Sequence, residues 1–343
     1  MSGKELEKKI KSKKAKIAVI GLGYVGLPLA VSFAKVGFKV FGLDKNKARA
    51  LRIKNGENYN EDVSLSEIAR LLKRKVFEVS HDLSLISSAD VVIICVPTPL
   101  KTKYTPDISY IVDSVKTIQK YIRKGMFIIL ESTTYPGTTE ELIKPLLEKS
   151  GLKACKDFYL AFSPERIDPG NSKFPVTKIP KIVGGLDKVS QQLGKALYEK
   201  IISSVHVVSS PRAAEMTKLL ENSFRLVNIS WVNELAMMCH KLNIDIWEVI
   251  AAAKTKPFGF MPFYPSLGVG GHCIPDDPLY LYWKAKHHGI SSKFIKLSAD
   301  TNDNVPNYVL ARLKGFLQKE GKPLARAKIL VLGVTYKKDV KDL

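Results

Sequence analysis

One cysteine in this chain has neighbours that suit a nucleophile. Cys273 lies in the stretch GVGGHCIPDDP, from Gly268 to Pro278, with glycines before it and the carboxylates of Asp276 and Asp277 after it. Glycines let the backbone approach a bound molecule closely, and an activated thiol can attack an electrophilic carbon. The commoner role of a cysteine is that of a small buried residue in a tight loop. Residues elsewhere in the chain must decide between the two roles.

A second set of polar residues lies on a predicted helix. The stretch from Ala213 to about Asn243 lacks proline and glycine and repeats apolar residues at helical spacing. Glu215, Lys218 and Asn222 lie at positions i, i+3 and i+7, so they share one face of that helix. A solvated polar stripe would explain the face. The alternative is that Lys218 and Asn222 point at a ligand in a cleft.

A third pattern, near the N-terminus, indicates a dinucleotide. The strand KIAVI (Lys16 to Ile20) runs into GLGYVG, a helix is predicted from about Leu27 to Val36, and the next strand (Lys39 to Leu43) ends at Asp44. Glycines between a strand and a helix allow the pyrophosphate to sit on the helix N-terminus, and an acidic residue can bind ribose hydroxyls. NAD is favoured over NADP, because Asp44 would repel a 2′-phosphate. The predicted cofactor-binding residues are Gly21, Gly23, Tyr24, Val25, Gly26, Asp44, Thr98 and Thr133.

Strands and helices continue to alternate, which predicts a doubly wound sheet. Further strands are predicted at Asp90 to Val96, Phe127 to Leu130, Phe158 to Phe162, Lys181 to Val183 and around His206 to Val208. Ligands bind outside the carboxyl ends of such strands, which is where Thr98, Thr133 and the SPERIDPG loop with Glu165 lie. Helix capping is the alternative role for the two threonines.

Composition limits the class of protein. The 343 residues carry 54 Lys and Arg against 33 Asp and Glu, a net charge of +21 that attracts anions. The lysines are spread along the chain without a nucleic-acid-binding signature, so we expect no nucleic-acid partner. We expect no membrane segment, and a cytoplasmic protein, because neither a long apolar run nor a signal peptide is present. Four scattered cysteines predict neither a metal site nor disulfides.

Three domains are expected: an NAD-binding Rossmann-like domain (1–208), a central all-helical domain (209–304) and the first part of another domain (305–343). Helices are predicted at Asp245 to Lys254, Leu279 to His288, Lys293 to Val305 and Pro306 to Gly321. A strand from Ala327 then runs into a glycine turn, as at the start of a second Rossmann-like domain. The chain stops soon after it, so we expect that domain to be truncated.

Seven motifs, in order, resemble the nucleotide-sugar 6-dehydrogenases of the UDP-glucose/GDP-mannose dehydrogenase family. They are GLGYVGLP (Gly21 to Pro28), VPTP (Val96 to Pro99), STTYPGT (Ser132 to Thr138), SPE (Ser163 to Glu165), AAEMTKLLEN (Ala213 to Asn222), GVGGHCIPDDP, and GVTYKKD (Gly333 to Asp339). PFGFMPFYP together with GGHCIP looks most like the UDP-N-acetylglucosamine branch. UDP-glucose, UDP-N-acetylmannosamine and UDP-N-acetylgalactosamine stay open as substrates.

The resemblance implies a four-electron oxidation of a sugar C6 alcohol to a uronate, with NAD, through a thiohemiacetal and a thioester on Cys273. It implies that Lys218 and Asn222 stabilise the oxyanion, that Asp277 and Thr133 hold the water, and that Glu165 acts as acid or base. It also implies a homodimer. The substrate-binding residues that it implies are Glu165, Arg166, Lys218, Asn222, Phe263, Tyr264, Gly270 and Lys337.

Some points stay open at this level. Some family members carry a second glutamate after Glu165, where this chain has Pro169 beside Asp168, so the carboxylate that assists hydrolysis is not fixed. A two-electron β-hydroxyacid dehydrogenase would share the Rossmann domain, the long helix and the Lys/Asn pair, but its chemistry needs no thiol. A truncated, inactive remnant that binds NAD is the third hypothesis.

Overall fold

The chain folds into two compact units. The computed structural model describes residues 1–57, 63–166, 178–333 and 335. The first unit comprises Met1–Lys101 and Pro106–Lys218, and the second comprises Thr102–Thr105 and the chain from Leu219 onward. The sequence-based boundaries at 208 and 304 stay predictions.

The first unit is built on an eight-stranded sheet with the strand order β10-β9-β8-β7-β4-β1-β2-β3. Its strands are β1 (Lys16–Ile20), β2 (Lys39–Leu43), β3 (Phe77–Ser80), β4 (Val91–Ile94), β7 (Phe127–Leu130), β8 (Tyr159–Phe162), β9 (Lys181–Gly185) and β10 (Val205–Val208). Between β4 and β7 the chain forms a small hairpin, β5 (Leu100–Thr102) with β6 (Thr105–Pro106). The predicted mixed α/β architecture with a largely parallel sheet is confirmed.

The register of the sheet sets where the polar side chains lie. Ile20 pairs with Leu43 on one side and with Ile94 on the other, and Ile94 pairs in turn with Leu130, which pairs with Phe162. The last residues of these five parallel strands therefore form one row, and whatever follows each strand lies at the same edge. Strands β9 and β10 run in the opposite direction, because β9 is antiparallel to β8 and β10 is parallel to β9.

Helices cover both faces of the sheet. They are α1 (Gly3–Lys11), α2 (Gly26–Lys35), α3 (Lys47–Lys54), α4 (Leu65–Lys73), α5 (Ser109–Tyr121), α6 (Lys144–Glu148) and α7 (Lys188–Tyr198), with a 3-10 turn at Leu83–Ser88 and a π-helical turn at Thr138–Ile143. Along β1, Ile17 and Val19 pack into one apolar layer and Ala18 and Ile20 into the other. A strand buried on both faces must be apolar throughout, which explains runs such as KIAVI.

The charged run that precedes β1 is a helix, which was not predicted from the sequence. Helix α1 begins with a capping box in which Ser2 and Glu5 satisfy each other's backbone amides. Leu6 and Ile10, one turn apart, are fully buried. Each such burial contributes about 1.5–3 kcal/mol, which holds an otherwise lysine-rich helix against α7.

The second unit is helical. The long helix α8 (Pro211–Lys241) begins in the first unit and continues into the second, where it is followed by α9 (Ile246–Lys254), α10 (Cys273–His287), α11 (Lys293–Lys319) and a 3-10 turn at Leu324–Arg326. The hairpin tip belongs to this unit, where Lys103 forms an ion pair with Asp303 and the Tyr104 hydroxyl donates to Asp300 at 3.1 Å. No described helix is long and apolar enough to cross a membrane.

Three local predictions for this region are wrong. Helix α10 begins at Cys273 rather than Leu279. Pro275 fits the first turn, whose amides have no partner in the helix, and Pro278 lies inside the helix at the cost of one hydrogen bond. Helix α11 runs through Pro306, since the buried residues Ile295, Ala299 and Val305 hold it in place at the cost of one hydrogen bond. The described residues 327–333 form no strand, because a strand needs a partner to pair with.

Candidate active site

The glycine loop after β1 is closely packed at Gly21 and Gly26 and has open space at Gly23. Gly21 has a φ of +90°, and a Cβ placed there would lie 2.5 Å from the carbonyl oxygen of Cys95. A Cβ on Gly26 would lie 1.8 Å from the carbonyl oxygen of Gly21, whereas one on Gly23 would have no heavy atom within 4 Å. Only glycine fits Gly21 and Gly26, and the space at Gly23 is open to a ligand.

The helix that follows this loop has no side-chain cap at its N-terminus. Helix α2 has Val25 at its N-cap and no acidic residue in its first turn. The positive end of the helix dipole favours an anion there, such as a pyrophosphate. Tyr24, just before the cap, is about half exposed.

Asp44 lies at the end of β2 in a fixed orientation. Its carboxylate accepts hydrogen bonds from the backbone amides of Leu22 (3.0 Å) and Asn46 (2.8 Å) and pairs with Arg49 at 3.2 Å. It is buried, so these bonds hold it firmly next to the glycine loop. The loop, the uncapped helix and this carboxylate together fit a dinucleotide such as NAD.

Two predicted threonines follow neighbouring strands of the sheet. Thr98 comes after β4 and Thr133 after β7, and both are half-buried. Neither caps a helix: Thr98 precedes the strand β5, and the cap position of the π-helical turn is Gly137. Helix capping therefore does not explain either residue, and both lie at the edge where the cofactor loop also ends.

Glu165 is held by a buried lysine that sequence analysis missed. The Lys181 Nζ lies 2.9 Å from Glu165 Oε2 and 2.8 Å from Glu131 Oε2, and the Tyr198 hydroxyl donates to Glu131. Lys218, from α8, donates to the backbone carbonyl of Glu165 at 2.7 Å. Lysines and glutamates are seldom buried, so Glu131 directly after a buried strand and Lys181 at the start of one were the available signals.

The charges of this cluster are unequal. Burial raises the pKa of Glu131 to about 7, although Lys181 opposes the change. Burial would also raise the pKa of Glu165, but the charge and hydrogen bond of Lys181 and the backbone amide of Arg166 bring it below its ordinary value. The Arg166 guanidinium donates to the carbonyl oxygen of Pro180 at 2.7 Å. Glu165 is thus the carboxylate that stays ionised.

Glu215 ties the start of α8 to the segment that follows Thr133. Its carboxylate accepts hydrogen bonds from the backbone amides of Gly137 and Thr139 and from the Thr139 hydroxyl. It takes the place of a cap for the π-helical turn, and burial raises its pKa to about 7. Glu215, on the polar face of α8, therefore has a structural role. Lys218 lies on the same face, one turn further along the helix.

The second unit contains the candidate nucleophile. Cys273 is exposed and is the first residue of α10, so the thiol is not the buried packing residue of the alternative. Asp277 lies one turn later on the same helix and accepts a hydrogen bond from the Asn222 side-chain amide, whose oxygen accepts from Arg225. Both Asp277 and Asn222 are buried. The amides of a helix N-terminus favour negative charge, as on a thiolate or an oxyanion.

The aromatic loop before Cys273 packs on helices of its own unit. Phe263 meets Phe224 of α8 edge-on at 5.7 Å, and Tyr264 stacks on Trp247 of α9 at 6.1 Å. Gly270 is exposed. Asp168, Pro169 and Lys337 lie outside the described residues. Among the described residues, no group of three or more His, Cys, Asp or Glu side chains could hold a metal ion.

Comparison with known proteins decides the family. Residues 15–202 match the NAD-binding domain of the UDP-glucose/GDP-mannose dehydrogenase family, and residues 212–304 match its central domain. The chain belongs to this family. It is therefore an NAD-dependent nucleotide-sugar dehydrogenase, as the resemblance implied, and the glycine loop and Asp44 lie inside the matched NAD-binding domain.

Relatives with different sugar substrates resemble this dehydrogenase. It is 40% identical to a UDP-N-acetyl-D-glucosamine 6-dehydrogenase of Salmonella typhi, over 96% of this chain and 77% of the relative. It is 35% identical to a UDP-N-acetyl-D-mannosamine dehydrogenase of Methanococcus maripaludis, over 95% and 74%. The solved structure of the UDP-N-acetyl-mannosamine dehydrogenase Cap5O of Staphylococcus aureus matches with a TM-score of 0.83 and 35% identity, over 96% and 76%.

Proposed function

We propose that this dehydrogenase oxidises the C6 alcohol of UDP-N-acetylglucosamine to the uronate in two NAD-dependent steps, through an acyl intermediate on Cys273. The observation that carries the proposal is the exposed thiol at the start of α10, one turn before the buried, amide-bound Asp277. A dehydrogenase that stops at a ketone or aldehyde needs no thiol, whereas an enzyme that proceeds to an acid uses one to carry the acyl group.

The glycine loop with Gly21 and Gly26, together with Asp44, would hold NAD, which would supply the hydride acceptor for each oxidation of the sugar carbon. The first oxidation converts the C6 alcohol to the aldehyde. Between the two oxidations, the Cys273 sulfur attacks the C6 aldehyde and forms a carbon–sulfur bond, which gives a thiohemiacetal. The second oxidation leaves a thioester. Water then adds to the acyl carbon, the carbon–sulfur bond breaks, and the thiol and the uronate separate.

The polar residues have proposed roles in these steps. Lys218 and Asn222 stabilise negative charge on the sugar oxygen, as a cation and as an amide donor. Asp277 and Thr133 orient the hydrolytic water. Glu165 accepts its proton, because the lowered pKa keeps this carboxylate ionised near neutral pH. These proposed roles require no counterpart of the second glutamate that some family members carry.

Substrate recognition is proposed for a separate set of residues. Arg166 is the cation next to Glu165, and Phe263, Tyr264 and Gly270 belong to the loop that leads to Cys273. Lys337 keeps its proposed contact with the substrate on sequence grounds alone. UDP-N-acetylglucosamine ranks first because the relative that oxidises it is the more similar, at 40% identity against 35%. UDP-N-acetylmannosamine is the second candidate, favoured by the match to Cap5O.

The test is to count NADH formed per sugar consumed with UDP-N-acetylglucosamine, UDP-N-acetylmannosamine, UDP-N-acetylgalactosamine and UDP-glucose. Two NADH and one uronate from UDP-N-acetylglucosamine, with slower turnover of the other three, is the expected result. One NADH per sugar with an aldehyde product would refute the acyl-cysteine mechanism. Faster turnover of UDP-N-acetylmannosamine would refute only the choice of sugar.

A homodimer is proposed as well, in the cytoplasm and in the synthesis of surface polysaccharide precursors. Large apolar side chains are exposed on helices of the second unit, including Phe224, Trp231 and Met238 on α8 and Trp247 on α9. Exposed apolar patches of this kind mark interaction surfaces. Light scattering of the purified chain should give twice the 38.2 kDa mass of one copy. A mass of 38.2 kDa at micromolar concentration would contradict the dimer.

A further inference from the structure

Lys181 is a buried cation that no step of the proposed mechanism uses. Its side chain is 4% exposed and lies between two carboxylates, Glu131 (0%) and Glu165 (13%). Moving one charge of this kind out of water costs several kcal/mol, so such a group persists only where its partners are well placed. Of the three side chains, that of Glu165 is the most exposed to solvent.

The fold fixes Lys181 from the side away from Glu165. Glu131 follows β7 directly and receives a hydrogen bond from the Tyr198 hydroxyl of α7. The Tyr198 ring lies 5.3 Å from the Lys181 Nζ. Because β9 runs antiparallel to β8, its first residue, Lys181, comes to the edge where β8 ends, close to Glu165. Glu131 and Tyr198 thus contact the Lys181 ammonium on one side, and Glu165 pairs with it on the other.

The surrounding charges favour an anion at Glu165. Three groups face the Glu165 carboxylate, namely Lys181, Lys218 and the backbone amide of Arg166. All three lower its pKa and so oppose the effect of burial, which raises it. Burial raises the pKa of Glu131 to about 7, whereas that of Glu165 is lowered, so Glu131 is the more readily protonated of the two carboxylates. Among the described residues, the other titratable groups of the cluster are the Cys95 thiol and the Tyr198 hydroxyl, and burial raises the pKa of both well above the ordinary values. Both therefore keep their protons near neutral pH.

We propose that Lys181 is a positioning residue that fixes Glu165 Oε2 and keeps this carboxylate anionic, so that it can take the proton of the hydrolytic water. The inference rests on the proposed function, in which water attacks the thioester on Cys273. As the water oxygen bonds to the acyl carbon and the carbon–sulfur bond breaks, one water proton passes to Glu165. Glu131 and Tyr198 act only through Lys181.

The first measurement does not depend on turnover. Carboxyl-¹³C-labelled glutamate in the full chain reports the titration of Glu165, which is assigned by its loss in Glu165→Gln. In Lys181→Met we expect the midpoint of Glu165 to rise by at least about one pH unit, because the facing cation is lost. In Lys181→Arg it should stay within a few tenths of the wild-type value. An unchanged midpoint in Lys181→Met would overturn the proposal.

The second measurement separates the chemical steps. In Lys181→Met, uronate release should slow at least about a hundredfold and acyl-Cys273 should accumulate, detected by the mass of its peptide, while NAD affinity stays at the wild-type value. The acidic limb of the pH profile for uronate release should move to higher pH. A merely structural lysine would change the denaturation midpoint and leave both the limb and the acyl-enzyme level unchanged, which would also overturn the proposal.

Two further variants keep the test decisive. If Lys181→Met does not fold, Glu131→Gln leaves Lys181 paired with Glu165 alone, and the Glu165 midpoint should then fall; a rise or no change contradicts the proposal. Lys195→Met, in the exposed pair with Glu199 on α7, should match the wild type in every measurement. Failure of the proposed function is seen separately, as a wild-type chain that forms no uronate while its Glu165 titration still depends on Lys181.

Discussion

The two units hold their proposed acid–base residues in different ways. In the first unit, the buried lysine Lys181 bridges Glu165 and Glu131 by ion pairs of 2.9 and 2.8 Å. In the second unit, Asp277 accepts a hydrogen bond from the neutral amide of Asn222, and the exposed thiol of Cys273 lies one turn away. The first arrangement controls charge and the second controls orientation.

The difference predicts that substitutions in the Lys181 cluster lower the stability of the fold, whereas substitution of Cys273 affects the reaction. A buried ion pair that loses one partner leaves an uncompensated charge, which destabilises a protein strongly. An exposed residue at a helix start has little packing to lose, so its substitution should affect the reaction and leave the fold intact. Substitutions in the two regions should therefore separate loss of activity from loss of folding.

The largest effect is expected at Cys273. Cys273→Ser should lower uronate formation by more than about a thousandfold, because a serine hydroxyl is a much weaker nucleophile than a thiolate. Its thermal midpoint should stay close to that of the wild type, since the side chain is exposed. The readout is uronate by chromatography together with a melting curve. Cys155→Ser, at another exposed cysteine, is the control and should remain active. Uronate formation by Cys273→Ser at the wild-type rate would remove the basis of the comparison.

The next effect concerns stability in the other region. Lys181→Met should lower the free energy of unfolding by about 3–5 kcal/mol, because Glu131 and Glu165 then lack their cation. Lys195→Met breaks only a solvent-exposed pair and should cost no more than about 0.5 kcal/mol. Urea titration of both variants measures the contrast. Equal losses in the two variants would show that burial of the Lys181 cluster has no energetic weight.

Glu215 is a buried carboxylate with no ion pair among the described residues, and it therefore sharpens the comparison. Its pKa is raised from 4.5 to about 7 by burial, so the folded state binds more protons than the unfolded state between these values. The stability that it contributes is thus present below pH 4.5 and is lost as the pH rises to about 7, by at most about 3 kcal/mol.

Glu215→Gln should remove that part of the pH dependence, because an amide oxygen can still accept from Gly137 and Thr139 without titrating. Urea titrations from pH 4.5 to 7.5 measure this dependence as the difference in the free energy of unfolding between the variant and the wild type. The contribution of Glu131 is present in both proteins and cancels in the difference. Glu234→Gln, at an exposed position of α8, is the matched control and should follow the wild-type curve. A Glu215→Gln curve parallel to that of the wild type would show that Glu215 does not titrate in this range.

The smallest effect is expected at Asp44, whose carboxylate is shared between backbone amides and Arg49. Asp44→Ala should weaken NAD binding about tenfold, through the loss of ribose hydrogen bonds worth about 1–2 kcal/mol. Asp44→Asn keeps one acceptor oxygen and should lose less. Calorimetric titration with NAD gives both affinities. An affinity of Asp44→Ala equal to that of the wild type would mean that the ribose is bound elsewhere.

Local sequence signals were sufficient for the framework of the first unit. The strands Lys16–Ile20, Lys39–Leu43 and Phe127–Leu130 have the predicted bounds, and α8 differs from its prediction by two residues at each end. Strands buried on both faces must be apolar throughout, and a long helix must repeat its apolar residues, so both are legible from neighbours in the chain. The capping box of α1 was equally local, although the lysines around it obscured it.

The sequence by itself thus determined seven of the eight strands of the sheet, the long helix, the NAD loop and the candidate thiol, because each depends on residues a few positions apart. The tertiary structure alone decided which distant residues meet. Lys181 reaches Glu131, 50 positions away, since β9 reverses direction, and Glu215 reaches Gly137 across 78 positions. No periodicity encodes such a pairing, because a buried polar group is stable only where the folded sheet brings it a partner, and that partner comes from a distant part of the chain.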